Sequence, residues 1–148
     1  MKFFNMNVKQ FISTKAFIVH QNKVLILREA GAYEDGYNAG TYEIPGGRVE
    51  PGERFDAGLL REVEEEVGIT SITVGKPFFI GEYHPVVRDE QWQVVAIYFE
   101  CSTDTDKVVL SKDHDSYEWI DPRNYEDYPL KSVSKKAFVE FVKNFKSE

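Results

Sequence analysis

The chain has 148 residues, of which 42% are hydrophobic and 29% are charged. This composition is typical of a globular protein with one core and excludes fibrous and disordered classes, so we expect residues 1–148 to form a single domain. The formal net charge is -7, and Lys and Arg are nowhere clustered, which argues against binding to long DNA or RNA.

The sequence contains neither an apolar run of membrane-spanning length nor a signal peptide pattern near Met1. Cys101 is the single cysteine, so an internal disulfide is excluded and we interpret Cys101 as a buried thiol within a strand. These features predict a cytoplasmic protein that does not bind membranes.

The first predicted elements are two strands of a hairpin. Apolar residues at Ala16–Val19 and Val24–Leu27 flank a short polar break at residues 20–23. The thirteen residues from Glu29 to Thr41 carry three glycines and two tyrosines without periodicity, which predicts a loop. Long loops in compact domains are often functional, and we expect this loop to border a substrate.

The segment Phe55–Val67 is predicted to be the first helix. Asp56 lies in its first turn, where the helix dipole favours an acid, and Gly68 is placed to end it in a left-handed conformation. Gly58 weakens the helix by about 1 kcal/mol relative to Ala, so either close packing requires it or the helix tolerates it.

Later elements follow from β-branched and apolar patterns. Segments Ile72–Tyr83 and Gln91–Cys101 are predicted strands joined by a turn, and Ser116–Ile120 is a predicted short strand. Phe138, Phe141, Val142 and Phe145 recur at helical spacing, which predicts a second helix with Ser134 as its N-cap. Internal repeats and domain boundaries are not evident in the sequence.

The first helix carries an unusual group of acidic residues. At about 100° per residue, Glu62, Glu65 and Glu66 share one face, whereas Glu64 points to the opposite side. Like charges at this spacing destabilise a helix, and Arg61 offers only local relief. A magnesium ion would compensate, because Mg²⁺ prefers oxygen ligands and binds through few carboxylates together with substrate phosphates.

A solvated acidic face is the alternative interpretation of a Glu-rich helix. Two neighbouring features favour a metal site instead. Leu59, Leu60, Val63 and Val67 form an adjoining apolar stripe that holds the helix against the core. Pro45-Gly46-Gly47 forms a tight turn whose backbone can approach a ligand closely.

The segment from Gly47 to Ile69 resembles the Nudix box at every defining position. The pattern is Gly47, five residues, Glu53, seven residues, Arg61-Glu62-Val63, one residue, Glu65-Glu66, one residue and Gly68-Ile69. A match of this length is a specific motif. The resemblance implies the α/β class, as an α/β/α sandwich with a mixed β-sheet, the Nudix fold.

The resemblance also implies roles for residues of the box. Glu62, Glu65 and Glu66 would hold Mg²⁺, for which Mn²⁺ could substitute, with the Gly46 carbonyl as a further ligand. Arg61 would orient these carboxylates, and Glu53 would support the metal site or position water. The general base is either a box glutamate or an acid of a later loop, where Asp113 and Asp115 flank His114; a polar turn is the alternative interpretation of these three residues.

Three residues are expected to bind the substrate. Arg28 and Arg48 would contact its phosphates, and Tyr42 is a third predicted contact. Six aromatic side chains are candidates for stacking on a nucleotide base, although most of them are expected to lie in the core or at its rim. These rings belong to Tyr33, Tyr37, Tyr42, Tyr83, Trp92 and Trp119.

The resemblance implies Mg²⁺-dependent hydrolysis of a phosphoanhydride bond in a nucleoside diphosphate linked to a further group X. The compact length resembles mutator-type enzymes, so nucleoside triphosphates are the first expected substrate class. ADP-ribose and other sugar-nucleotides are the alternative, since Pro85 lies sixteen residues beyond Ile69, as in ADP-ribose-cleaving members. A nucleotide sensor without activity is a third interpretation.

The expected partner is a small nucleotide-like molecule. The protein is expected to be a monomer or a homodimer.

Overall fold

The computed structural model describes residues 7–31 and 40–147. Its helices are α1 (Phe55–Val67) and α2 (Ser132–Val142), and a 3₁₀ helix spans Pro122–Asp127. The strands are β1 (Val8–His20), β2 (Lys23–Glu29), β3 (Tyr42–Glu43), β4 (Gly46–Arg48), β5 (Ile72–Tyr83), β6 (Val86–Val87), β7 (Glu90–Thr103) and β8 (His114–Ile120). Most of the predicted loop from Glu29 to Thr41, including Tyr33 and Tyr37, lies outside the described residues.

The described strands form a mixed sheet with the order β3-β2-β1-β7-β5. Strands β1 and β7 run parallel from Val8 opposite Gln91 to Val19 opposite Ser102. The other pairs are antiparallel, including β4 on β1 and β8 on β2. The parallel pair joins segments about eighty residues apart in sequence, so it sets the topology of the centre of the sheet.

One helix packs on each face of the sheet. Ala16 and Ile18 of β1 face α1, whereas Phe17 between them faces α2, as expected for alternating side chains in a strand. Because both faces are covered, the middle parts of β1 and β7 are continuous apolar runs, at residues 16–19 and 94–99. The predicted α/β/α sandwich with a mixed sheet is therefore confirmed.

The predicted hairpin is confirmed, and its turn is shorter than the polar break. His20 and Lys23 pair with each other, which leaves Gln21 and Asn22 as a two-residue turn with positive φ values of 48° and 66°. Positive φ at both central positions is the type I′ geometry that matches the twist of hairpin strands. The predicted turn before β7 contains the short strand β6 and a similar turn at Arg88 and Asp89.

The second helix begins earlier than the sequence predicts. Ser134 was expected to be its N-cap, but Ser134 is buried inside α2 and Lys131 precedes the first turn without a capping side-chain bond. The N-cap prediction is wrong because Leu130 bridges Tyr42 and the Lys131 N–H donates to the Tyr42 carbonyl, so the helix starts where this pairing ends.

Other predictions at this level are confirmed. Helix α1 has the predicted bounds, and Gly68 ends it with φ at 70° while its N–H donates to the Glu64 carbonyl. Cys101 is buried in β7. Neither helix of the described chain has the length and apolar character that crossing a membrane requires.

Candidate active site

Helix α1 presents its acidic face at the edge of the core. Leu59, Val63 and Val67 are fully buried against β1 and β2, which fixes the rotation of the helix. Leu60 is 39% exposed, so its predicted place in the buried stripe is wrong. It lies on the solvent side of the helix, beyond the arc that contacts the sheet.

The Pro45-Gly46-Gly47 turn packs directly on this acidic face. Gly46 has φ of 145°, and a Cβ atom there would lie 2.0 Å from the Thr14 carbonyl oxygen, so glycine is required. A Cβ atom at Gly47 would lie 2.5 Å from Cδ of Glu62. The Gly46 N–H donates to Oε1 of Glu66 at 2.8 Å. The turn therefore fixes the positions of two box carboxylates.

Arg61 connects three carboxylates of the box, those of Glu53, Glu62 and Glu65. Its guanidinium donates to both oxygens of Glu53, at 2.9 and 3.0 Å, and to Oε1 of Glu62 at 3.0 Å. Oε1 of Glu65 lies 3.5 Å away. The hydrogen bonds from Arg61, with one from the Glu50 backbone, lower the pKa of Glu53 to about 2. Arg61 thus contacts Glu53, Glu62 and Glu65, and its role in orienting these carboxylates stays a prediction.

Glu53 also explains the glycine inside the helix. A Cβ atom at Gly58 would lie 2.8 Å from Oε1 of Glu53. Of the two interpretations offered by the sequence, close packing is confirmed.

The three predicted metal ligands differ in their surroundings. The side chains of Glu62 and Glu66 are 18% and 17% exposed, whereas that of Glu65 is 58% exposed. Burial raises the pKa of Glu66 to about 7, although nearby Lys15 and His114 oppose the shift. Glu66 is therefore the member of the acidic face whose negative charge is least compensated by solvent.

The donor set fits a divalent cation. Glu62 and Glu66 provide hard oxygen atoms. Because Gly47 has no Cβ atom, the Glu62 carboxylate lies directly against the turn. Within residues 7–31 and 40–147, no three acidic, His or Cys side chains form a preformed metal cage. Mg²⁺ does not require one, because it retains several waters and takes ligands from substrate phosphates.

Sequence reasoning missed a cluster of charged residues beside the acidic face. We call it the buried charge cluster, and its members are Lys15, Glu29, Glu43, His114 and Lys131. Lys131 Nζ lies 3.0 Å from Glu29 Oε2 and 3.1 Å from Glu43 Oε1. His114 Nε2 lies 2.8 Å from Glu43 Oε2, and His114 Nδ1 lies 4.0 Å from Glu66 Oε2. The cluster therefore extends to the acidic face.

The charges of this cluster stabilise one another. Burial alone would raise the pKa of Glu43, but its hydrogen bond with His114 and the charges of Lys15 and Lys131 hold that pKa well below its usual range. Burial similarly opposes protonation of His114, yet the hydrogen bond and charge of Glu43 raise its pKa. The available sequence signal was weak: Lys15 is a single charge directly before the apolar run of β1, and Glu43 lies in the approach to the glycine turn.

A cavity of about 650 Å³ opens beside the buried charge cluster. Lys15, Glu29, Glu43 and Lys131 form its polar side. Its apolar side includes Tyr83, Pro85, Trp92, Tyr98, Leu130 and Val133. A concave site with an aromatic wall and a few charged groups has the form of a small-molecule pocket.

The predicted substrate residues lie in different places. Arg28 and Asp115 form an ion pair at 2.7 Å, and Tyr42 packs edge-on against Tyr128; none of these residues lines the cavity. The Arg48 guanidinium lies 5.1 Å from the centre of the Trp92 ring, which does line the cavity.

The other residues predicted to stack on a nucleotide base or to act as the general base also lie in different places. Tyr83 and Trp92 line the cavity, whereas Trp119 donates from Nε1 to the Asp106 carbonyl elsewhere. Asp113 accepts the Ala30 N–H through its backbone carbonyl. Of residues 113–115, the structure brings only His114 to the acidic face.

Other proteins resemble this chain in sequence and in fold. Nucleoside triphosphatase NudI of Escherichia coli K12 is 28% identical over 128 residues, which span 76% of this chain and 89% of NudI. The crystal structure of a MutT protein from Methanosarcina mazei Go1 is 28% identical with a TM-score of 0.78, covering 94% of this chain and 97% of that one. The E. coli dihydroneopterin triphosphate pyrophosphohydrolase, at 20% identity and a TM-score of 0.72 over 90% and 96% of the chains, shares the fold.

The family assignment rests on a match to most of the sequence. The NUDIX domain profile matches residues 10–141, which include the whole box, the strands that carry the buried charge cluster and most of α2. The chain therefore belongs to the NUDIX family and is a Nudix pyrophosphohydrolase.

Proposed function

We propose that this protein hydrolyses nucleoside triphosphates to nucleoside monophosphates and pyrophosphate with Mg²⁺ as its cofactor. The observation that carries the proposal is the contact between the glycine turn and Glu62 and Glu66, directly beside a cavity with an aromatic wall. Phosphoryl chemistry and nucleoside binding would then occupy adjacent parts of one site. The relatedness to NudI, named a nucleoside triphosphatase, supports this substrate class.

The reaction replaces one bond by another. A water oxygen bonds to phosphorus, the anhydride P–O bond breaks, and the proton of water passes to a base. Bound Mg²⁺ supplies charge neutralisation on the phosphoryl oxygens and lowers the pKa of water. Glu62, Glu65 and Glu66 would hold it with the Gly46 carbonyl, and Mn²⁺ could replace it.

Other residues of the chain act on these groups. Arg61 orients the carboxylates of Glu53 and Glu62 through its hydrogen bonds. Glu53 supports Arg61 from a position that a Cβ atom at residue 58 would obstruct. Asp115 stays a prediction for the base: its hydrogen bond with Arg28 lowers its pKa, so it is ionised at neutral pH.

Substrate positioning is assigned by proximity to the cavity. Tyr83 and Trp92 would stack on the base, and Arg48, which lies over the Trp92 ring, would reach phosphates at the rim. Arg28 and Tyr42 stay predicted substrate residues that lie outside the cavity lining. The apolar and aromatic wall accommodates any base, so it does not select one.

ADP-ribose and other sugar-nucleotides are a second candidate class. Pro85, at the spacing seen in ADP-ribose-cleaving members, lines the cavity. A bulky X group would need space beyond the acidic face, whereas the pyrophosphate of a triphosphate would not.

A substrate panel tests the proposal. The purified protein is incubated with Mg²⁺ and nucleoside triphosphates, ADP-ribose, dinucleoside polyphosphates or sugar-nucleotides, and phosphate release is measured after coupling to pyrophosphatase or phosphatase. We expect the highest kcat/KM with a nucleoside triphosphate. With that substrate, phosphate should be detected only when pyrophosphatase is added. Faster cleavage of ADP-ribose would support the second class, and release of free phosphate without pyrophosphatase would contradict the proposed bond cleavage.

A further inference from the structure

Lys15 is a buried ammonium group with few partners. Its residue is 8% exposed, and its hydrogen bond is a 3.5 Å contact from Nζ to the Ile44 carbonyl. Across the described residues, no carboxylate oxygen lies within 4.0 Å of Nζ, whereas Lys131 has two such neighbours. Burial lowers the pKa of Lys15, but nearby acidic groups, Glu43 and Glu66 among them, raise it overall, so the ammonium form is retained. An ammonium has three donors, and these two carboxylates act on it from beyond ion-pair distance. Lys15 therefore has donors available for a ligand.

The position of Lys15 joins the cavity to the acidic face. Lys15 lines the cavity, and its stem lies against the glycine turn, since a Cβ atom at Gly46 would be 3.0 Å from Lys15 Cδ. The same glycine donates its N–H to Glu66. Lys15 thus lines the cavity and also contacts the turn that binds Glu66 of α1.

A nucleotide in this site meets several negative charges. Its nucleoside would occupy the cavity, and its phosphates would extend towards Glu66, past Glu43. Lys131 is neutralised by Glu29 and Glu43, so it offers little attraction to an additional anion. Lysine binds phosphate as a compact point charge. Of the two lysines among the described residues that line the cavity, Lys131 forms close ion pairs and Lys15 does not.

We propose that Lys15 binds the phosphate attached to the nucleoside, the group that remains on the monophosphate product. This inference rests on the proposed function, because it assumes that a nucleotide occupies the cavity. Lys15 would bind the nucleoside-linked phosphate directly, whereas the rest of the polyphosphate would extend towards the box carboxylates.

A structural role for Lys15 makes a different prediction. If Lys15 served only to support Ile44 and Glu43, its replacement would weaken binding of nucleoside and nucleotide alike. A phosphate-binding role predicts a loss that depends on the phosphate. The gain in affinity from a 5′-phosphate is therefore the quantity to measure.

The experiment compares the wild-type protein with Lys15→Met, which keeps the length of the side chain and removes its charge. Each protein is titrated calorimetrically with the four 2′-deoxynucleosides and their 5′-monophosphates, with Mg²⁺ and again in EDTA. We expect the 5′-phosphate to increase the affinity of the wild-type protein for the ligand. Lys15→Met should reduce this gain by a factor of at least about ten and leave the affinity for the nucleosides unchanged. Lys15→Arg is expected to retain part of the gain.

Lys9→Met is the matched control, because Lys9 lies on the same strand in an exposed ion pair with Glu90. Circular dichroism and thermal unfolding establish that each variant is folded. An equal phosphate gain in wild type and Lys15→Met, or no gain in the wild type, overturns the inference. A gain that depends on Lys15 in a protein that hydrolyses no nucleoside triphosphate rejects the proposed function and leaves the phosphate-binding role in place.

Discussion

Glu66 combines burial, a hydrogen bond from the glycine turn and a neighbouring histidine, and these contacts distinguish it from the more exposed Glu65. Its pKa of about 7, raised mainly by burial, shows that its negative charge is poorly solvated in the protein alone. A buried, undercompensated carboxylate beside a pocket is typical of a functional site.

Replacing Glu66 by Gln tests this role. Gln keeps an oxygen that accepts the Gly46 N–H but removes the charge, so we expect turnover to fall by at least about tenfold while the fold is retained. Steady-state kinetics measure turnover, and calorimetry with Mg²⁺ measures the expected loss of metal affinity. Glu64→Gln, on the opposite, exposed face of α1, is the control. A near-normal rate for Glu66→Gln would contradict the assigned role.

Gly47 provides a second test at the residue scale. The added Cβ of Gly47→Ala would meet the Glu62 carboxylate at 2.5 Å, so Glu62 must move and we expect kcat to fall by at least about tenfold. The double variant Gly47→Ala with Glu62→Asp shortens the displaced side chain and is expected to recover part of the Mg²⁺ affinity, measured by calorimetry. Unchanged kinetics in Gly47→Ala would mean that the contact does not position Glu62.

At the scale of elements, the end of α1 determines where the box helix stops and the chain turns towards β5. Gly68 has φ of 70°, a conformation that an L-residue with a Cβ adopts unfavourably. Its N–H satisfies the Glu64 carbonyl, and a Cβ atom there would lie 3.2 Å from Cβ of Val109. The left-handed conformation therefore favours glycine, and an added Cβ atom would require a small shift of Val109.

We expect Gly68→Ala to lower the free energy of unfolding by about 1 kcal/mol or more. Gly68→Asn should lose less from the backbone term, because Asn tolerates the left-handed region better than Ala. Urea unfolding measures both values. The acidic face lies outside this turn, so kcat of the folded variants should change little; equal stability of Gly68→Ala and wild type would show that the turn relaxes without strain.

At the scale of the whole molecule, the buried charge cluster connects β1, β2, β3, β8 and the start of α2. Glu43 holds it together, since its carboxylate accepts from both His114 and Lys131. The pKa of Glu43 lies below its ordinary value of 4.5 despite burial, because the positive partners outweigh desolvation. Its ionised form therefore stabilises the folded state.

The sign of the pH effect follows from that direction. A carboxyl with a depressed folded pKa contributes its full stability above its unfolded value, and this contribution is lost as the pH falls below about 4.5 towards the folded pKa. Urea unfolding between about pH 7 and pH 3 should show a steeper decline for wild type than for Glu43→Gln. At neutral pH we expect Glu43→Gln to be less stable by about 3 kcal/mol, because it leaves buried cations without their carboxylate. Parallel curves for the two proteins would contradict this account.

Local sequence alone determined helix α1, the shared face of its carboxylates and the hairpin, because helical and strand periodicities and turn chemistry act over a few neighbouring residues. The α/β class came from the resemblance to the Nudix box and not from these local patterns. It misplaced the start of α2, since the pairing of Leu130 with Tyr42 is not a local signal. Tertiary structure alone brought together the buried charge cluster, whose contacts join residues as far apart as Glu43 and Lys131. The physical reason is that strand pairing between distant segments determines which isolated charges become buried neighbours, and here it placed Lys15 in the lining of the cavity.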